Sequence, residues 1–208
     1  MPPLLPSTSS AAAARHVCWV FDLDDTLMPT QEMFRDARVR HIMTRVQQRS
    51  SLARDSATDR RKRFVRAYRH IVTADPPLVS AIARLHGTKL LLTNGSRDHA
   101  FASLSALRLL PHFHGQLDRD SGIGMKPNPA TYEALHRFVL QRHTKKHPPL
   151  SFVFFDDLVE NLEYPHRLRW TTVWISGPAH AAGNVYVRPS YVDYAFRTIH
   201  DAIAFFQA

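Results

Sequence analysis

The stretch His16-Val17-Cys18-Trp19-Val20-Phe21-Asp22-Leu23-Asp24-Asp25-Thr26-Leu27 decides how the chain is read. Its first six residues are mostly apolar and of β type, the pattern of a strand buried on both faces. The run stops at Asp22. Alternate residues at a strand end point the same way, so Asp22 and Asp24 can face one pocket. Two carboxylates side by side repel, and they persist when a cation lies between them or when one keeps a proton. Both conditions suit phosphoryl transfer. A carboxylate can attack phosphorus and form an aspartyl phosphate, and a second carboxyl can protonate the leaving oxygen and later activate water. A divalent ion with oxygen ligands neutralises the phosphate charge.

Beyond this stretch, helical and strand signals alternate. Phe34, Ala37, Ile42 and Val46 predict a helix over 31–49, and residues 50–58 read as a loop. Phe64, Val65, Tyr68, Ile71 and Val72 form the stripe of a second helix over 59–72, with Ser56 or Thr58 as its cap. Pro76 and Pro77 open a third helix that ends at Gly87. Strands are expected at 89–92, 115–118, 151–155, 171–175 and 191–195, and helices at 98–109, 130–142, 159–168 (interrupted by Pro165) and 197–206. The expected fold is α/β, a Rossmann-like parallel sheet with helices on both faces. In such sheets ligands bind outside the carboxyl ends of the strands.

Three of those ends carry polar groups. Thr93 and Asn94 supply a hydroxyl and a backbone N–H for phosphate oxygens, with Gly95 completing a common turn. Asp156 and Asp157 follow the strand at 151–155, and Asn161 stands four residues beyond. Between these ends lies Lys126, a cation in the rigid loop Gly-Met-Lys-Pro-Asn-Pro. Each alone is an ordinary turn, helix cap or surface lysine. Together, in this order, they are what one site needs.

Taken as a set, these four segments resemble the motifs of the haloacid dehalogenase (HAD) superfamily, over about residues 17–206. The resemblance implies that Asp22 is the nucleophile and a magnesium ligand. It implies that Asp24 is the acid/base and binds the metal through its backbone carbonyl, with Thr26 supporting. Thr93 and Asn94 would bind phosphate, Lys126 would neutralise nucleophile and phosphate, and Asp157 would bind Mg²⁺ with Asp156 and Asn161 supporting. A carboxylate at position 24 favours a phosphatase over a dehalogenase. The segments around Thr93–Ala100, Lys126–Pro129 and Phe154–Leu162 are similar to pyrimidine 5′-nucleotidases, which implies nucleoside monophosphates as substrates. A sugar phosphate or other metabolite is the alternative. The implied organisation is a disordered N-terminus over 1–15, a HAD-like core over 16–29 and 77–208, and a short Arg-rich helical cap over 30–76. That insert is shorter than the family's usual helical bundle, which implies a more open site. Pro165 and Arg169-Trp170 also depart from the usual small residues before the late strand.

Charge is concentrated in one place. Residues 35–69 hold twelve Arg or Lys against three Asp, which accounts for the whole net charge of +9. Such a lobe attracts small phosphates or a nucleic acid, or serves as a solvated helix face. Nucleic acid or a phosphoprotein is therefore a second candidate partner. A non-catalytic binding protein is disfavoured, because no motif carboxylate or lysine is lost. One cysteine, Cys18, rules out an intrachain disulfide and fits a reducing, cytoplasmic setting, with a short organellar presequence left open. No apolar stretch is long enough to span a membrane. The histidines lack metal-ligand spacing. His99, just after Thr93-Asn94, is expected to pack near the site without chemistry, and Trp19 and Phe21 to lie in the core.

Overall fold

A computed structural model describes residues 16–52, 56–142, 150–177 and 188–208, and the side chains of these except 49–52. The expected disordered N-terminus, 1–15, lies outside the described residues. Six parallel strands form one sheet: β1 (His16–Phe21), β2 (Thr88–Leu92), β3 (Gly115–Leu117), β4 (Leu150–Asp156), β5 (Thr171–Ile175) and β6 (Tyr194–Phe196). Their order across the sheet is β3-β2-β1-β4-β5-β6. β1 thus sits centrally, between β2 and β4. The carboxyl ends of these three strands lie side by side, at the point where strand order reverses, where α/β sheets bind ligands.

The apolar run of β1 divides by alternation. Trp19 and Phe21 enter one core layer with Leu91, Val153, Phe155 and Val173. Cys18 and Val20 enter the other with Leu90, Phe152, Phe154 and Trp174. Both faces of the strand are buried, which is why its sequence shows no polar alternation. Phe21 and Phe155 stack across the β1–β4 pair with centroids 4.8 Å apart. Burial pushes the Cys18 thiol up to about 12, so it remains an inert core group.

Between β1 and β2 lie α1 (Thr30–Met33), α2 (Ala37–Leu52), α3 (Ala57–Tyr68) and α4 (Pro76–Arg84). The single helix expected over 31–49 is two helices. The first closes after one turn, at Met33, and the Asp36 carboxylate accepts the Arg38 N–H, a turn that restarts the chain as α2. α2 also runs on to Leu52, into the expected loop. Ser56 caps α3 by accepting the Asp59 N–H. Val39, Met43, Phe64, Tyr68 and Val72 from this region join the same apolar layer as Phe21 and Phe155.

After β2 come α5 (Arg97–Ala106), α6 (Pro129–Arg142), α7 (Glu163–Arg167) and α8 (Ile199–Gln207). α6 supplies Tyr132, Leu135 and Val139 to the layer beneath Cys18 and Val20. The expected helix over 159–168 is a 3-10 turn, Val159–Leu162, followed by the five-residue α7. Pro165 does not interrupt it. It stands in the first turn, where a backbone N–H has no helical partner to lose. Arg169 takes a φ of 63°, the left-handed conformation that glycine adopts freely. The last strand is Tyr194–Phe196 rather than 191–195, because Tyr191 and Asp193 instead receive the Thr172 hydroxyl and backbone N–H at the edge of β5.

Candidate active site

The chain leaves β1 through a tight turn. Leu27 and Met28 donate their N–H groups to the Leu23 carbonyl, and Asp25 sits at φ 58°. An aspartate tolerates this left-handed geometry better than most residues. Here its carboxylate also accepts the Gln31 N–H at 2.8 Å. The turn separates the two predicted catalytic carboxylates. Asp22 meets Lys126 and Thr26, whereas the Asp24 carboxylate meets Thr30 of α1 and His99 of α5.

Asp22 is buried. Its Oδ1 lies 2.5 Å from Lys126 Nζ, and its Oδ2 accepts the Thr26 hydroxyl at 3.3 Å. Lys126 Nζ also donates to Asp156 Oδ2 at 2.6 Å. One ammonium therefore bridges the carboxylates that end β1 and β4. Burial works against the Lys126 ammonium, but Asp156 and Asp22 outweigh it and hold the lysine above its ordinary value. Burial, reinforced by Asp156, pushes the Asp22 carboxyl up, and Lys126 opposes that rise.

Asp156 is fully buried and saturated. Besides Lys126 it accepts the Leu158 N–H and the Asn161 side-chain amide, both at 2.9 Å. Tyr132 fixes Asn161 in turn, by donating to its carbonyl at 2.9 Å. Asp157 is half-buried, and its carbonyl receives the Trp174 indole N–H. Burial, then Asp156, then Asp25 push the Asp157 carboxyl up to about 7. Asp22, Asp156 and Asp157 each bring a carboxylate oxygen within 4.8 Å of the others. Ionised together, three carboxylates against one lysine would leave negative charge uncompensated, and an oxygen-only cluster of this size fits a hard divalent cation such as Mg²⁺. The residues present would hold it through Asp22 and Asp157, with the buried Asp156 supporting them from behind.

Thr93 is buried at the end of β2, and its Oγ1 accepts the Gly95 N–H at 3.0 Å. Asn94 has a role that its place in a common turn did not announce. Its side chain accepts the Lys126 N–H at 2.8 Å and donates to the Lys126 carbonyl at 3.0 Å. It clamps the lysine loop to the end of β2, 32 residues away in sequence.

His99 packs near the site, as its place after Thr93-Asn94 led one to expect, and it does so directly against Asp24. Its Nε2 stands 3.0 Å from both Asp24 oxygens, and Thr30 Oγ1 donates to Asp24 Oδ1 at 2.7 Å. Burial alone would raise the Asp24 carboxyl, but His99, by hydrogen bond and by charge, and Thr30 hold it below its ordinary value. Thr30 carried no sequence signal. A cavity of about 630 Å³ opens beside Asp24, lined by Phe34, Met43, Gln47, Arg60, Phe64 and Tyr68 among others.

No protein-family profile matches this sequence, and no curated protein does. Solved structures do match. YfnB from Bacillus subtilis, described as a HAD-hydrolase and bound to magnesium, superposes with a TM-score of 0.59 at 14% identity, over 94% of this chain and 100% of that one. The L-2-haloacid dehalogenase from Xanthobacter autotrophicus gives 0.59 at 16% identity, over 92% and 98%. A protein from Thermotoga maritima described as a β-phosphoglucomutase gives 0.58 at 17%, over 91% and 98%. The chain shares the α/β fold of these HAD-type structures. No described helix is long and apolar enough to cross a membrane.

Proposed function

We propose that the chain is a Mg²⁺-dependent phosphomonoesterase acting through an aspartyl phosphate on Asp22. The observation that carries this reading is the pairing of two differently placed carboxylates. Asp22 sits against Lys126 and the acidic cluster, and Asp24 stands apart at the mouth of the cavity. Asp22 Oδ attacks phosphorus and the bond to the leaving oxygen breaks. Asp24, which rests as a carboxylate under His99 and Thr30, takes a proton from solvent before this step and gives it to that oxygen. Asp24, now a carboxylate, then takes a proton from the water that hydrolyses the aspartyl phosphate. Lys126 and the Thr93 hydroxyl serve the phosphoryl oxygens. A bound Mg²⁺ would supply further charge neutralisation there.

The need for Asp24 distinguishes this chemistry from dehalogenation. A halide leaves as a stable anion and needs no acid, whereas an alkoxide leaving from phosphate does. Nucleoside monophosphates are the substrates we favour. Phe34, Met43 and Phe64 offer an apolar surface for a flat ring, and Gln47 and Arg60 offer polar groups beside it. A second reading rests on the basic surface of α2 and α3, where Arg38, Arg40, Arg45, Lys62 and Arg66 are exposed. On it, the phosphate belongs to a nucleic acid end or a phosphoprotein.

The test is release of inorganic phosphate from a panel of monophosphates, with Mg²⁺ or EDTA, for wild type and Asp22→Asn. Turnover that needs Mg²⁺ and vanishes in Asp22→Asn is expected. Folded wild-type protein that releases no phosphate from any small ester would turn the reading toward a macromolecular substrate.

A further inference from the structure

The sequence reading left His99 and Tyr68 as packing residues. They form a chain of polar contacts leading to Asp24, and no chemistry assigned above uses it. His99 Nε2 meets the Asp24 carboxylate at 3.0 Å, and His99 Nδ1 meets the Tyr68 hydroxyl at 2.5 Å. Asp24, His99 and Tyr68 come from the turn after β1, from the first turn of α5 and from the last residue of α3. They are 75 and 31 residues apart in sequence. We propose that His99 is the positioning residue for Asp24, held by Tyr68, and that the seam between α3 and α5 thereby sets the aim of the acid. This inference rests on the phosphomonoesterase reading.

The geometry supports a dedicated arrangement. The imidazole contacts partners at both nitrogens, and its Tyr68 neighbour meets it edge-on with centroids 5.6 Å apart. Tyr68 is buried, and burial together with Asp24 keeps its phenol protonated. A phenol that keeps its proton can donate to Nδ1. The ring proton then belongs on Nε2, where it faces Asp24. Thr30 donates to Oδ1 of the same carboxylate, so two donors from different elements hold it. A carboxyl restrained in this way loses less orientational freedom on reaching the transition state, a gain set against the pull of the same donors toward its ionised form.

The backbone makes room for the ring. A Cβ on Gly95 would stand 2.5 Å from His99 Cδ2, so any side chain there would push the imidazole off Asp24. The seam is pinned elsewhere too. Arg60 and Arg61 of α3 reach Asp98, the residue before His99, at 3.8 and 3.4 Å. Arg61 also lies 4.9 Å over the Phe101 ring.

The test compares two esters whose leaving groups differ in their need for a proton: 4-nitrophenyl phosphate, which departs without one, and an alkyl monophosphate, which requires one. kcat/KM reports the first chemical step, in which Asp24 acts as acid. Asp24→Asn sets the reference pattern. His99→Ala and Tyr68→Phe are expected to lower kcat/KM on the alkyl ester by about 10- to 100-fold while changing it less than about threefold on the aryl ester. His99→Gln, which keeps an N–H near Asp24, should recover part of the loss. Tyr68→Phe keeps the ring and its packing, so it carries the test if His99→Ala proves unstable. Equal losses on both esters, or none, would overturn the positioning role while leaving the phosphatase reading intact. A wild-type protein inert toward both esters would overturn the reading and the inference together.

Discussion

Asp157 is the residue at which metal binding and stability meet. Its carboxyl is pushed up to about 7, chiefly by burial and then by Asp156 and Asp25. In the unfolded chain the same group ionises near the ordinary carboxylate value, 3.8. Between these values the native state holds a proton that the unfolded state has released, so this group lowers stability as pH rises from about 4 to about 7. A bound divalent cation removes the penalty by competing for the same site as the proton. Mg²⁺ should therefore raise Tm more at pH 8 than at pH 5. Asp157→Asn should stabilise the metal-free protein at pH 8, on the order of 1 kcal/mol or about 2–4 °C, allowing for its partial exposure. The same variant should gain nothing below pH 4.5 and should lose the Mg²⁺ response. Thermal scans of wild type and variant, with and without Mg²⁺, check each sign. A Mg²⁺-induced shift that grows toward low pH would contradict this account of Asp157.

At the scale of elements, β1 and β4 are paired, both buried on either face, and carry most of the acidic groups of the site at their ends. Phe155 stacks on Phe21 at 4.8 Å and meets the Phe206 ring of α8 edge-on at 5.8 Å. The next residue, Asp156, therefore inherits its position from an aromatic layer. Truncating Phe155 to Ala should cost about 3–5 kcal/mol in urea denaturation, by lost burial and the cavity left behind. A loss below about 1 kcal/mol would mean that the layer relaxes around the gap. On the other side of β1 the turn before β2 is equally constrained. Gly87 has a φ of 110°, and a Cβ there would lie inside contact distance of the Val17 carbonyl, which explains a glycine where the helix signal ends. The alternation of these elements could be read from periodicity. The break between α1 and α2 could not, because it depends on one aspartate turning the chain rather than on the apolar pattern.

For the molecule as a whole, the question is whether the basic surface helps choose the substrate. Much of the positive charge of α2 and α3 is exposed, but Arg60 and Arg61 are drawn into the seam with Asp98. Binding of a polyanion through several exposed arginines would weaken steeply with salt, whereas a single monoester would not. Under the favoured reading, kcat/KM for a nucleoside monophosphate should change only severalfold between about 50 and 200 mM salt, and a 5′-phosphorylated oligonucleotide should be no better a substrate. An oligonucleotide preferred at low salt, with a loss of about 10³-fold or more over that range, would favour the macromolecular reading.

The sequence by itself determined the sheet, the order of its elements and the strand ends where polar groups collect, because burial on both faces and alternation with helices are written into local patterns. It also marked Asp22, Asp24, Thr93, Asp156 and Asp157 at strand ends and Lys126 in a proline-bound loop, residue types and places that follow from the chain alone. Only the tertiary structure decided what these groups face. It set Asp24 against His99 and Thr30, drew Lys126 between Asp22 and Asp156, and made the Asn94 side chain a clamp on the lysine loop. It also joined Tyr68 and His99, which locally read as core and packing residues, into the support of Asp24. Contacts between residues dozens of positions apart depend on how one helix seats on another, and no local periodicity encodes that seating.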